Sequence, residues 1–165
     1  MSNKSFNINP PPSEMEKKDE VLAKAYTNLI YFGRAFLPND FLKKSESAPF
    51  HYEMAKKMID TAPGARICNI IPRGHGKSVI AKAAIMHKLC FAQEGDQHFI
   101  AWVSEEQSQA IDHLKYIRSH FENNKMIRYY FGNMDGGSVG KRWTEKDLVT
   151  PKGDRVISKG TSQRL

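Results

Sequence analysis

Ile67-Cys68-Asn69-Ile70-Ile71-Pro72-Arg73-Gly74-His75-Gly76-Lys77-Ser78 joins a short β-branched run to a loop with two glycines and then to a helix start. The run 67–71 is brief and mostly apolar, which predicts a buried strand. Beyond the loop, Ile80, Ala83, Ala84, His87 and Phe91 recur at helical spacing, so a helix is expected from Lys77 with that face inward. A glycine-rich turn between strand and helix is the setting of the P-loop, GxxxxGK[ST]. Gly76-Lys77-Ser78 match the pattern, and Ile71 stands where its first glycine belongs. The physical requirement survives that departure. Gly74 and Gly76 let backbone N–H groups turn inward where a side chain would block them, and the helix start adds its positive end.

On the C-terminal side, Phe99-Ile100-Ala101-Trp102-Val103 reads as a second buried strand. It is expected to lie parallel to 67–71 in one sheet, joined by a right-handed crossover through the Lys77 helix. Ser104 then reads as an N-cap, with Gln107 in capping-box position and Glu105-Glu106 suiting the positive helix end. The helix it opens presents Ala110, Leu114, Ile117 and Phe121 on one face. Gly132, Gly136, Gly137 and Gly140 make a loose loop. After it, 147–150 and 155–158 flank Pro151-Lys152-Gly153-Asp154 as a β-hairpin would. The alternation of strand and helix predicts an α/β fold with a parallel sheet.

On the N-terminal side, Pro10-Pro11-Pro12 sits in a polar stretch, so 1–13 reads as a flexible arm. A helical extension is expected over 14–62. Leu22, Ala25, Leu29, Phe32 and Phe36 mark one helix ended by Pro38-Asn39-Asp40, and Met54, Ala55, Met58 and Ile59 mark another after Pro49. Thr61-Ala62-Pro63-Gly64 reads as a turn, and 63–165 as the α/β domain proper.

Composition narrows the classes. With 40% hydrophobic and 26% charged residues the chain is globular in type. No apolar run approaches the ~18 residues of a membrane span, and the polar N-terminus lacks the core of a secretion signal. Cys68 and Cys90 both lie in apolar stretches and read as core thiols in a reducing cytoplasm. The formal charge is +7, and 113–165 holds 11 Lys and Arg against 5 Asp and Glu. Such an excess favours polyanions, although a merely soluble basic surface has the same composition.

The loop residues Pro72, Arg73, Gly74, His75, Gly76, Lys77 and Ser78 are the candidate nucleotide-binding set, for MgATP or MgADP. Lys77 is placed to reach the β- and γ-phosphates, and the Ser78 hydroxyl to ligate Mg²⁺. Arg73 reads as a contact to the γ-phosphate during transfer, as a surface arginine, or as one that pairs with a carboxylate expected beyond residue 165. His75 reads as a polar loop position without chemistry of its own. The remaining histidines show no metal-ligand spacing with the cysteines, and His87 reads as a satisfied core residue.

Pro-Arg-Gly-His-Gly-Lys-Ser, with arginine four residues before the lysine and no first glycine, resembles the deviant Walker A of viral DNA-packaging terminase large subunits. The 99–103 strand with Gln109-Ala110 beyond it is similar to the family's segment coupling nucleotide to DNA. The hairpin from Trp143 onward, followed by Gly160-Thr161-Ser162-Gln163-Arg164-Leu165, resembles the stretch leading to an Arg-Gly pair. Pro49-Phe50-His51-Tyr52-Glu53 lies where the family contacts adenine, which offers His51 or Tyr52 for that role.

The resemblance implies a P-loop NTPase-type parallel sheet flanked by helices, incomplete at residue 165, with the helical extension and hairpin appended. It also implies ATP and Mg²⁺ as cofactors, with Arg73 and Lys77 catalytic and Ser78 on the metal. Implied partners are double-stranded DNA, the rest of the large subunit, the small terminase subunit and the portal protein, in the host cell cytoplasm. The family's Walker B and nuclease domain would fall beyond residue 165. Strand 67–71 is then expected to keep an open edge that a second polypeptide completes. A helicase-like ATPase and a non-hydrolysing nucleotide- or DNA-binding module remain the alternatives.

Overall fold

The computed structural model describes residues 15–41, 47–60, 62 and 64–161. The arm 1–13, the turn residues Thr61 and Pro63, and Ser162-Gln163-Arg164-Leu165 lie outside them. The chain divides into two compact units, Met1–Ala84 and Ile85–Leu165.

The first unit is helical: α1 (Met15–Thr27), α2 (Leu29–Phe36), α3 (Pro38–Phe41), α4 (Pro49–Ile59) and the first half of α5 (Lys77–Phe91). The single helix expected through Leu22 and Phe36 is broken at Asn28. That side chain caps α2 by accepting the Tyr31 N–H at 3.0 Å. The apolar spacing runs unbroken across the break, so periodicity alone is blind to it. Leu29, Ile30, Phe32 and Phe36 are buried, and the Phe32 and Phe36 rings meet at 5.0 Å. Full burial of side chains this size is worth about 1.5–3 kcal/mol each. Pro38 ends α2 as expected but then opens the single turn of α3, where its missing N–H costs nothing. Phe41 packs flat on Gly33, where a Cβ would lie 2.5 Å from the ring. In α4, Met54 and Ala55 are buried, and Met58 and Ile59 are half-buried.

Residues 67–71 are not a strand. The backbone is irregular, Ile70 is 92% exposed and Cys68 is exposed rather than core. β-propensity is realised only against a pairing partner, and the described residues of this unit contain no other strand. The expected parallel pairing of 67–71 with 99–103, and the crossover through α5, are absent with it.

The second unit is α/β. β1 (Phe99–Ser104), β2 (Asp147–Val149) and β3 (Arg155–Gly160) form a mixed sheet in the order β1-β3-β2. β1 is parallel to β3 with Phe99 opposite Arg155 and Ser104 opposite Gly160. β2 is antiparallel to β3, as the hairpin reading expected. The helices α6 (Gln107–Asn123) and α7 (Lys125–Phe131) lie between β1 and β2 in the chain. Ala110, Leu114, Ile117 and Phe121 of α6 are all buried, together with Leu148 and Val156 of the sheet. β1 itself is not buried as expected. It is an edge strand whose residues alternate between exposed and half-buried, with Phe99 62% and Val103 51% exposed.

Ser104 is not the cap of α6. It closes β1, its Oγ accepts from Trp102 Nε1 at 3.2 Å, and Glu106 takes the cap position. Asn124 ends α6 and starts α7, accepting the N–H groups of Met126 and Ile127 at 3.0 and 3.2 Å. The buried end of α5 carries Met86, His87, Leu89 and Cys90, and the His87 ring lies 4.8 Å from Phe91. Burial pushes the Cys90 thiol far above its ordinary range. Phe91 meets Phe131 of α7 edge-on at 5.0 Å.

Polar side chains lock the hairpin. Asp154 is fully buried, and its Oδ1 lies 2.9 Å from both the His98 N–H and His98 Nδ1. Its Oδ2 accepts from Thr150 Oγ1 at 3.2 Å. Lys152 donates to the C=O groups of Cys90 and Ala92 at 3.1 and 2.8 Å, a cation at a helix C-terminus. Arg155 holds Asp147 in a two-pronged grip at 2.9 and 2.7 Å, and Arg142 adds a third bond at 2.8 Å.

Candidate phosphate-binding loop

The loop 72–76 leads into α5, whose first turn begins with the bond from Ile80 N–H to Gly76 C=O at 3.0 Å. The first amides of any helix have no partner inside it, so those of Lys77, Ser78 and Val79 are open to an anion. Gly74 and Gly76 both take positive φ, 81° and 73°. A side chain is strained in that region, so the two glycines set the path of the loop. No other atom lies within 4 Å of a Cβ added at Gly74, which makes the reason conformational rather than steric there.

Lys77 folds back over the loop. Its Nζ donates to the C=O of Ile71 and, at 2.7 Å, to that of Pro72. The ammonium is thus held against the turn by two carbonyl oxygens. His75 Nδ1 lies 2.9 Å from the Arg73 C=O, across the same turn.

Helix α4 reaches the loop from the other side through His51. The Ala48 N–H lies 3.0 Å from His51 Nδ1, and a backbone amide can only donate, so Nδ1 accepts. The proton of the neutral ring is then on Nε2, which sits 3.0 Å from the His75 C=O and donates to it. The Phe50 ring lies beside both imidazoles and tilted to each, 4.1 Å from His51 and 6.2 Å from His75 between ring centroids.

These groups surround one cavity of about 660 Å³. Arg73, Gly74, His75, Gly76, Lys77, Ser78 and His51 all line it, and Pro72 contributes its carbonyl to Lys77 without lining it. Of the two residues considered for the base, His51 faces the cavity and Tyr52 does not. The apolar wall of Ile30, Phe41 and Phe50 is not evident from the loop motif. The periodic pattern of α2 marks Ile30's neighbours as core, but only tertiary packing turns Ile30 itself toward this loop. Asp40 is the sole carboxylate among the described lining residues. Groups of three or more His, Cys, Asp or Glu that could hold a metal do not occur among the described residues.

No family model, curated protein or solved structure matches this chain.

Proposed function

We propose that this chain binds the phosphates of MgATP or MgADP on the 72–78 loop, as the nucleotide-binding part of a viral terminase large subunit. The carrying observation is Lys77, whose ammonium is held against a turn with left-handed glycines at 74 and 76, at the start of a helix. Lys77 would meet the β- and γ-phosphates, the first amides of α5 would donate to phosphate oxygens, and Ser78 Oγ would be the protein's ligand to Mg²⁺. The metal supplies charge neutralisation on the phosphates when bound. Arg73, exposed on the cavity rim, is the side chain available to a γ-phosphate.

The wider role rests on the family resemblance of the loop. In it, nucleotide turnover in the complete protein drives double-stranded DNA into a procapsid, with the small terminase subunit and the portal as partners, in the host cytoplasm. No described helix is long and apolar enough to cross a membrane.

The test is calorimetric titration of MgADP and MgATP. Lys77→Ala is expected to weaken both by roughly tenfold to a hundredfold, the loss of a charge-assisted bond. Ser78→Ala should leave binding in EDTA unchanged and remove most of the gain that Mg²⁺ confers. Equal affinity in wild type and Lys77→Ala would reject the site.

A further inference from the structure

His51 makes two hydrogen bonds that run in opposite directions along the ring. Nδ1 accepts the Ala48 N–H at the start of α4, and Nε2 donates to the His75 C=O inside the loop. The contact is close enough that a Cβ at Gly76 would stand 3.4 Å from Nε2. Phe50 confines the ring from the side at 4.1 Å.

We infer that His51 is a positioning residue: it braces the loop through the His75 carbonyl and so holds the 74–78 amides in their anion-binding arrangement, rather than contacting a nucleotide base. The inference rests on the phosphate-binding reading of the loop. With the carbonyl of His75 tied back to α4, its peptide plane is fixed, and the Gly76 amide of that plane is aimed away from the bond. A loop preorganised in this way loses less freedom on binding an anion. The same ring caps α4, so the order of the loop depends on the order of that helix.

Two substitutions separate the arms of the ring. His51→Asn keeps an acceptor near the Nδ1 position and falls short of His75. His51→Gln extends an amide N–H toward the Nε2 position. The probes are MgATP and inorganic triphosphate, which has the phosphates and no base, titrated into the full chain by calorimetry.

His51→Asn is expected to weaken both ligands by the same factor, about fivefold to tenfold for one lost hydrogen bond. His51→Gln should restore most of it. Circular dichroism should show unchanged helix content in both variants. Weakening of MgATP alone would overturn the inference in favour of a base contact, and equal binding by the Asn and Gln variants would overturn it outright. Triphosphate binding that Lys77→Ala leaves unchanged would instead reject the phosphate-loop reading itself, and the brace with it.

Discussion

Asp147 shows how much one side chain settles in the sheet. Its carboxyl is held below the usual carboxylate range, first by the bond from Arg155 and then by that from Arg142, against the opposing effect of burial. A depressed folded-state pKa contributes stability that is complete above the unfolded value of about 3.9 and is lost as pH falls through the folded value. Asp147→Asn is therefore expected to destabilise the chain at pH 7. The gap from wild type should narrow steadily below about pH 4, in urea unfolding followed by circular dichroism. A gap that stays constant down to pH 2 would mean the ion pairs contribute nothing. At the same scale the loop was legible from sequence: Gly74, Gly76, Lys77 and Ser78 were singled out by motif, and all four line the cavity. His51 was also picked out, but for the base. Its partner at His75 is 24 residues away, and no local pattern encodes a bond of that span.

Among the elements, the hairpin and helices α4, α5 and α6 follow their sequence patterns, and the failures concern boundaries and one strand. α7 had no forecast, because Asn124 both ends α6 and caps α7, and a continuous helical pattern conceals such a double role. Asn124→Ala removes the acceptor of two amides and should cost about 1 kcal/mol. Gly136 is the sharper test. Its φ of −69° suits any residue, yet a Cβ there would fall 1.7 Å from the Val149 carbonyl oxygen. Gly136→Ala must shift backbone rather than a flexible side chain, and a loss of about 2–3 kcal/mol is expected in the same unfolding assay. A loss under half of that would show that the glycine-rich segment yields easily. The alanine at 124 serves as the comparison for an ordinary cap.

For the whole molecule, the charge is the property the sequence states most directly, and it bears on the proposed DNA partner. If the basic excess is used on double-stranded DNA, the logarithm of affinity must fall linearly with that of salt as counterions are released. Titration of a fluorescent 30-base-pair duplex between 50 and 200 mM NaCl is expected to show that slope. Binding that is absent at 50 mM, or indifferent to salt, would remove DNA as a partner of this chain.

Composition, charge, the succession of α5, β1, α6 and the β2–β3 hairpin, and the glycine-containing turn into α5 were determined by the sequence itself, since each depends on neighbours a few positions apart. What the tertiary structure alone decided were partnerships. It set β3 between β1 and β2, left 67–71 unpaired and exposed, buried Asp154 against His98, and brought His51 under the loop. The reason is physical: an apolar β-branched run such as Ile67-Cys68-Asn69-Ile70-Ile71 carries only a propensity. A strand exists where another backbone supplies the complementary N–H and C=O groups, and that condition is not written in the run itself.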